Sequence, residues 1–186
     1  MSHPPAAGRL LVAHPMLGDP NFNRSVVLLC EHTVGAGSFG LVLTRTLEER
    51  MGELMPSLAD FDGPVGQGGP VQLDTLHFVH RHGEQVSEAI EIHEAGVYWG
   101  GDIAAVEQLV LTGQTGPEQM RFFAGYAGWD DGQLQAEIEE GSWFVADLSL
   151  DLLFSTPPEN LWRTVLRRMG GQYALLANFP ADPRLN

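Results

Sequence analysis

Residues 10–32, LLVAHPMLGDPNFNRSVVLLCEH, contain two apolar runs separated by a loop that is rich in turn-forming residues. Leu10 to Ala13 predicts a short first strand, and Ser25 to Thr33, which is rich in β-branched residues, predicts a second strand. The segment between them carries breakers of regular structure at Pro15, Gly18 and Pro20. Loops that join rigid elements often carry functional side chains, so this connection is a candidate site.

Strands and helices are predicted in mixed order along the rest of the chain. The glycine-rich segment VGAGSFG leads into a third strand at Leu41 to Thr44, which indicates a hairpin. Gly63 to Pro70 is predicted as a loop. Further strands are predicted at Thr75 to Arg81, Ala89 to Ile92, Val97 to Trp99 and Ser142 to Leu148, and Arg121 to Trp129 is predicted to hold a strand and a glycine turn. Capping residues and apolar spacing predict helices from Thr46 to Leu58, from Asp102 to Leu111, from Asp130 or Asp131 to Glu140, and from Thr156 to Gly170. Hairpins mixed with helices favour an α+β or mixed-sheet α/β fold.

The charge of the chain excludes several function classes. The 186 residues carry 24 acidic and 10 basic side chains, for a formal net charge of −14. All the basic residues are arginine, which excludes sites that require a lysine, such as a phosphate-binding P-loop or a pyridoxal Schiff base. The negative charge also opposes direct binding to nucleic acid or to acidic lipid surfaces. We therefore expect the partner to be a protein or a small molecule.

Length and composition predict one compact domain. Residues 1–8 are rich in proline and alanine and are predicted to be a flexible leader, so that residues 9–186 form the domain. A single cysteine, Cys30, excludes an intramolecular disulfide and a multi-cysteine metal site. The N-terminus lacks the basic region of a signal peptide, and no apolar run is long enough to span a membrane. We expect a cytoplasmic protein.

Four segments together resemble the YqgE/AlgH family of bacterial proteins. They are residues 10–32 (quoted above), GQGGPV at 66–71, GYAGWDDGQLQAEIEEGSW at 125–143, and LWRTVLRRMGGQYALLANFPADPRLN at 161–186. The resemblance extends over essentially the whole chain from Gly8. It implies a single cytoplasmic domain with a bent, mostly antiparallel mixed sheet flanked by helices, and it implies no particular molecular function. Members of the family are often labelled transcriptional regulators. The chain departs from the family pattern at Asp130, where glycine more often follows the tryptophan.

The family-like polar residues form the favoured candidate ligand site. Asp19, Arg24 and Ser25 lie where the loop enters the second strand. Gly68 and Gly69 offer backbone amides that can approach an anion closely. An aromatic wall and a carboxamide complete the predicted set, from Tyr126, Trp129 and Gln133. The alternative is structural: Asp19 pairs with Arg24, the glycines permit turns, and Trp129 belongs to the core.

Other patterns give weaker candidates. Strand alternation places Cys30 and His32 on one face, where the imidazole can activate the thiol, although a buried structural cysteine is favoured. His80 and His82 share a face while His77 points away, which is too few ligands for zinc. Gly35, Gly37 and Gly40 match a nucleotide-binding glycine pattern, and Ser38 nearly matches a nucleophile elbow, but neither opens a helix. No catalytic residue, metal or cofactor is therefore assigned.

These observations favour a non-enzymatic protein that acts in regulation or binds a ligand or partner. The second hypothesis is a small hydrolase-like enzyme that uses Arg24 with Glu31 or His32. A direct transcriptional regulator is the third. Convergence of Arg24, Glu31, His32 and Gln133 on one concave surface distinguishes the enzyme from the binding protein. The sequence does not indicate the oligomeric state.

Overall fold

A computed structural model describes residues 3–180 of the chain. Nine strands form one open, mostly antiparallel sheet in the order β6-β7-β5-β8-β3-β2-β1-β9, and β4 pairs with β8 in parallel. The strands are β1 (Arg9–Ala13), β2 (Val26–Thr33), β3 (Gly37–Val42), β4 (Val65–Gln67), β5 (Val71–His80), β6 (Ile90–His93), β7 (Val97–Trp99), β8 (Met120–Trp129) and β9 (Trp143–Asp147). The helices are α1 (Met51–Leu54), α2 (Ile103–Leu111), α3 (Gln133–Glu139), α4 (Leu150–Phe154), α5 (Pro158–Met169) and α6 (Gly171–Leu176), with a 3₁₀ turn at Pro56–Leu58. The prediction of a single α+β domain is confirmed.

Both faces of the sheet are covered. The largest core contains residues from both halves of the sheet, such as Leu28 and Phe123, and lies under α4 and α5. A second core lies under α1 and α2 and includes Phe122. The third core includes Trp129 and Trp143 and lies under α3 and the loop between β1 and β2. Strand alternation explains the separation, because neighbouring residues such as Phe122 and Phe123 point to opposite faces.

Proline interrupts the predicted helix from Thr46 to Leu58. Only Met51–Leu54 is α-helical, and Pro56 begins a separate 3₁₀ turn. Proline disfavours the helical conformation of the preceding residue, and Met55 is extended with φ −143° and ψ 98°. Thr46 does not cap a helix, because it forms an isolated bridge with Gly66.

Several elements differ from the prediction. The predicted loop Gly63 to Pro70 contains β4, which forms only because β8 lies beside it. The helices α4 and α6 were not predicted, and they extend the cover over the largest core. Helix α5 begins at Pro158, and the hydroxyl of Thr156 donates to the Asp151 carbonyl and does not cap the helix. Its predicted end at Gly170 is confirmed.

Candidate functional site

The loop between β1 and β2 is fixed to the core by an aromatic anchor. The ring of Phe22 lies 6.1 Å from that of Trp129 and 5.6 Å from that of Trp143. Asp19 closes a turn midway along the loop, where its carboxylate accepts a hydrogen bond from the Asn21 amide at 2.8 Å. Ser25 is fully buried at the loop's end and donates to the Phe22 carbonyl at 2.8 Å. Asp19 and Ser25 therefore set the shape of the loop.

A carboxylate on α3 orients the two tryptophans that hold Phe22. The indole nitrogens of Trp129 and Trp143 donate to the same oxygen of Glu137, at 2.9 and 2.8 Å. The side-chain amide of Gln133 donates to the other oxygen at 2.8 Å. Two predicted site residues thus help to hold the loop: Trp129 packs against Phe22, and Gln133 binds the carboxylate that orients Trp129. Sequence reasoning missed Glu137, although its spacing of four residues from Gln133 on a predicted helix is a recognisable pairing signal.

Arg24 does not pair with Asp19, contrary to the structural alternative for this loop. Its guanidinium lies over Trp162, 4.6 Å from the ring centre. It donates to the backbone carbonyls of Phe179, at 2.6 Å, and of Pro180. Burial, and to a smaller extent the charge of Arg163, lower the pKa of Arg24. The residue adopts a left-handed backbone conformation, with φ 53°.

A small polar cleft lies between this loop and the GQGGPV segment. Its volume is about 150 Å³, and its walls are Pro20, Asn21, Arg45, Gln67, Gly69 and Pro70. The guanidinium of Arg45 donates to the carbonyl of Pro20 at 2.9 Å and to that of Asn23 at 3.4 Å. Its Nε is buried and has no hydrogen-bond partner among the described residues. Sequence reasoning missed Arg45, because nothing in its neighbourhood along the chain indicates that two distant loops meet there.

The glycines of GQGGPV have different roles. The amide of Gly68 donates to the Ala124 carbonyl at 2.8 Å. It is therefore not free to bind an anion, contrary to the prediction. A Cβ atom on Gly68 would overlap the backbone of Gly125, and one on Gly69 would overlap that of Tyr126. Both glycines therefore allow this segment to pack closely on β8. Gly69 also lines the cleft.

The ring of Tyr126 lies on the opposite face of the sheet from Trp129. It stacks on Phe39 with ring centres 4.6 Å apart and packs against the largest core. Trp129, three residues later in β8, belongs to the third core on the opposite face. An odd spacing along a strand separates side chains in this way, so the predicted aromatic wall of Tyr126 and Trp129 does not form.

A β-bulge separates Cys30 from His32. Register shifts between Leu29 and Glu31 in the pairing of β2 with β3. Cys30 packs in the largest core, where burial raises the pKa of its thiol. His32 pairs with Ser38, and its Nδ1 lies 2.7 Å from the serine hydroxyl. The expectation that Cys30 and His32 share a face is wrong, because the extra residue reverses the alternation.

The histidines of β5 and the following turn are held in hydrogen bonds. His80 Nε2 donates to the Gly100 carbonyl at 2.9 Å, because His80 Nδ1 already accepts from the His82 amide. The ring of His82 meets the Thr115 hydroxyl at 2.8 Å. Burial lowers the pKa of both rings, and that of His77. Within residues 3–180, no three side chains of His, Cys, Asp or Glu are grouped to hold a metal.

The residues of the hydrolase hypothesis lie in separate places. Arg24 contacts the C-terminal segment, and His32 contacts Ser38. Gln133 contacts Glu137, while Glu31 is exposed on β2. The structure does not bring these four side chains together.

No helix between residues 3 and 180 combines the length and the apolar character needed to cross a bilayer.

Comparison with known proteins gives matches over nearly the full length. A model of the AlgH-like family, DUF179, matches residues 10–174. A UPF0301 protein of Chlorobium limicola is 44% identical over 179 residues, which cover 96% of this chain and 95% of the relative. A UPF0301 protein of Cytophaga hutchinsonii is 39% identical over 180 residues, covering 96% and 98%. The crystal structure of DIP2367 from Corynebacterium diphtheriae superposes with a TM-score of 0.80 at 27% identity, covering 96% and 95%. The solution structure of AlgH from Pseudomonas aeruginosa gives 0.73 at 28% identity, covering 97% of each chain.

Proposed function

This chain belongs to the AlgH-like family, and we propose that it is a non-enzymatic regulatory protein that binds the anionic group of a ligand in the Arg45 cleft. The observation that carries this proposal is the environment of Arg45. Within residues 3–180, its guanidinium donates hydrogen bonds only to backbone carbonyls, and no carboxylate lies within 4.0 Å of it. In a chain with 24 acidic residues, this cation remains available to an external anion.

The composition of the cleft favours a phosphate or carboxylate. The planar fork of a guanidinium matches the oxygens of either group. Asn21 and Gln67 add side-chain amides at the rim. A volume of 150 Å³ corresponds to about five water molecules at ~30 Å³ each, so the cleft holds a head group and leaves the rest of the ligand outside.

The supporting residues make the cleft rigid before a ligand arrives. Phe22 is held between Trp129 and Trp143, which Glu137 orients. The Asp19 turn and the Arg45 bonds fix the adjoining backbone. A binding site that is already ordered loses less conformational entropy on binding. Four of the predicted residues thus act as positioning residues that hold the cleft in shape: Asp19, Ser25, Trp129 and Gln133. Gly69 forms part of the cleft wall.

The wall residues support binding more than catalysis. None of the six has a side chain that serves readily as a nucleophile or as a general base at neutral pH. The hydrolase hypothesis, which uses Arg24 with Glu31 or His32, gains no geometric support from the structure. The His32–Ser38 pair lies on β2 and β3 and does not line the Arg45 cleft. Any effect on transcription would pass through a ligand or a protein partner, because the net charge of −14 opposes DNA binding.

Calorimetric titration with inorganic phosphate and with acetate tests the proposal. We expect saturable binding of at least one anion, a loss of about tenfold or more in affinity for Arg45→Gln, and a smaller loss for Arg45→Lys. Arg81→Gln is the matched control, since Arg81 is exposed and also donates to a backbone carbonyl, that of Ala95. If Arg45→Gln does not fold, Gln67→Met alters another wall residue of the cleft instead. Absence of binding by the wild type, or affinities unchanged by the cleft variants, would contradict the proposal.

A further inference from the structure

A second arginine, Arg121, is partly buried at the start of β8. Its Nη1 donates to the carbonyl of Leu153, near the end of α4, and its Nη2 donates to that of Leu43, each at 3.1 Å. The guanidinium lies over Phe123, 5.0 Å from the ring centre. These contacts fix the side chain in one orientation and use two of its five N–H donors.

The charge of Arg121 has no acidic counterpart in the described part of the chain, where no carboxylate lies within 4.0 Å. Burial lowers the pKa of Arg121 to about 10, so it remains protonated at neutral pH. Burying a cation without an opposite charge is unfavourable, and carbonyl dipoles compensate only in part. An anion that reaches this guanidinium gains an interaction that bulk water does not weaken as it would at the surface.

A cavity of about 170 Å³ leads to Arg121 from the surface. Its walls are mostly apolar, from Phe61, Pro64, Pro117, Met120, Leu153, Phe154, Pro157 and Pro158. The exposed Ser155 and the partly buried Thr156 also line it. The volume corresponds to about six water molecules at ~30 Å³ each. Apolar walls around one buried cation match an amphipathic anion more closely than a fully hydrated one.

We propose that this cavity binds an organic monocarboxylate with a compact apolar body, such as an aryl or branched alkyl carboxylate. The carboxylate meets the free donors of Arg121, and the apolar body packs against the prolines and phenylalanines. A phosphate dianion fits less well, because its extra charge would lose hydration against apolar walls. The site shares no wall residue with the Arg45 cleft, so each can be present without the other.

Benzoate is the probe, and benzamide, which has nearly the same shape without the charge, is its control. We expect saturable binding of benzoate by calorimetry and at least about tenfold weaker binding of benzamide. In NMR spectra of the wild type, benzoate should shift signals of Phe61 and Phe154, which both line the cavity. Equal binding of both compounds, no binding of benzoate up to about 10 mM, or shifts confined to other regions would overturn the proposal.

Two variants separate the charge from the cavity. Arg121→Met removes the cation and should abolish the preference for benzoate over benzamide. Ser155→Trp fills the cavity from an exposed position, so it should weaken the binding of both compounds while the protein remains folded. It tests the site even if Arg121→Met does not fold. Arg81→Gln serves as the control for a change of net charge and should leave benzoate binding unaltered. Retention of benzoate affinity in Ser155→Trp would place the ligand elsewhere and overturn the assignment.

Discussion

Trp129 and Trp143 donate their indole hydrogens to a single oxygen, Oε2 of Glu137, at 2.9 and 2.8 Å. The two rings come from different strands and meet nearly edge to face, with centres 6.0 Å apart. One carboxylate on α3 therefore aligns two buried side chains from β8 and β9, and they hold Phe22 of the β1–β2 loop. This contact couples the third core to the proposed ligand cleft.

Glu137→Ala tests this coupling. The substitution leaves two buried indole donors without an acceptor, so we expect a loss of about 2 to 3 kcal/mol in the free energy of unfolding. Glu139→Ala on the same helix is the control: Glu139 is exposed and bonded only to Gln135, and its loss should cost about 0.5 kcal/mol or less. Urea unfolding curves measure both values. Equal effects of the two substitutions would mean that the indole contacts contribute little.

Stability should fall as the pH drops below neutrality. The pKa values of His80 and His82 are lowered by burial, so the unfolded chain binds more protons than the folded chain near and below pH 6.5. The stabilisation is complete above the unfolded pKa of about 6.5 and is lost as the pH falls toward the folded values. Urea unfolding between pH 7.5 and 5.5 should show this slope. His80→Gln should destabilise the protein at pH 7.5 and reduce the dependence of the unfolding free energy on pH. An unreduced dependence would mean that other groups take up the protons on unfolding.

Cys30 should be structural. Its thiol is buried and its pKa is raised, so almost no thiolate exists at neutral pH. Cys30→Ala should cost roughly 1 to 2 kcal/mol in the free energy of unfolding and leave anion binding intact. Native protein should react slowly with a disulfide reagent, and denatured protein quickly. Fast reaction of the native protein would show that the thiol is accessible.

DNA binding should be no tighter than about 10 µM at 0.15 M salt, within the usual non-specific range. The tightest cluster of cations along the chain is Arg163, Arg167 and Arg168 on α5, and Arg168 is already paired with Asp151. The remaining two belong to a chain whose formal net charge is −14. Anisotropy titration with genomic fragments measures the affinity. A nanomolar complex weakened by Arg163→Ala or Arg167→Ala would restore direct regulation as the function.

Local patterns in the sequence were sufficient for the elements whose contacts are close along the chain. Alternation and β-branching predicted β1, β2, β7 and β9 to within two residues, because each strand buries one or both faces in a single run. Asp102 predicted the start of α2, since an N-cap acts on the amides just beyond it, and its side chain accepts from Ala104. The mixed order of strands and helices, together with the family-like segments, was enough to predict the fold class.

The tertiary structure decided where those elements meet. Strand β4 forms only against β8, and the bulge at Cys30 follows from the pairing of β2 with β3. Both depend on hydrogen bonds between residues far apart in sequence, which no local pattern records. The same holds for the candidate sites: Arg45 joins a loop 25 residues before it to a segment 22 residues after it, and Arg121 donates to carbonyls 78 and 32 residues away. An arginine in a sequence shows only a charge; its availability to a ligand depends on which acceptors the fold brings to it and which carboxylates it keeps away.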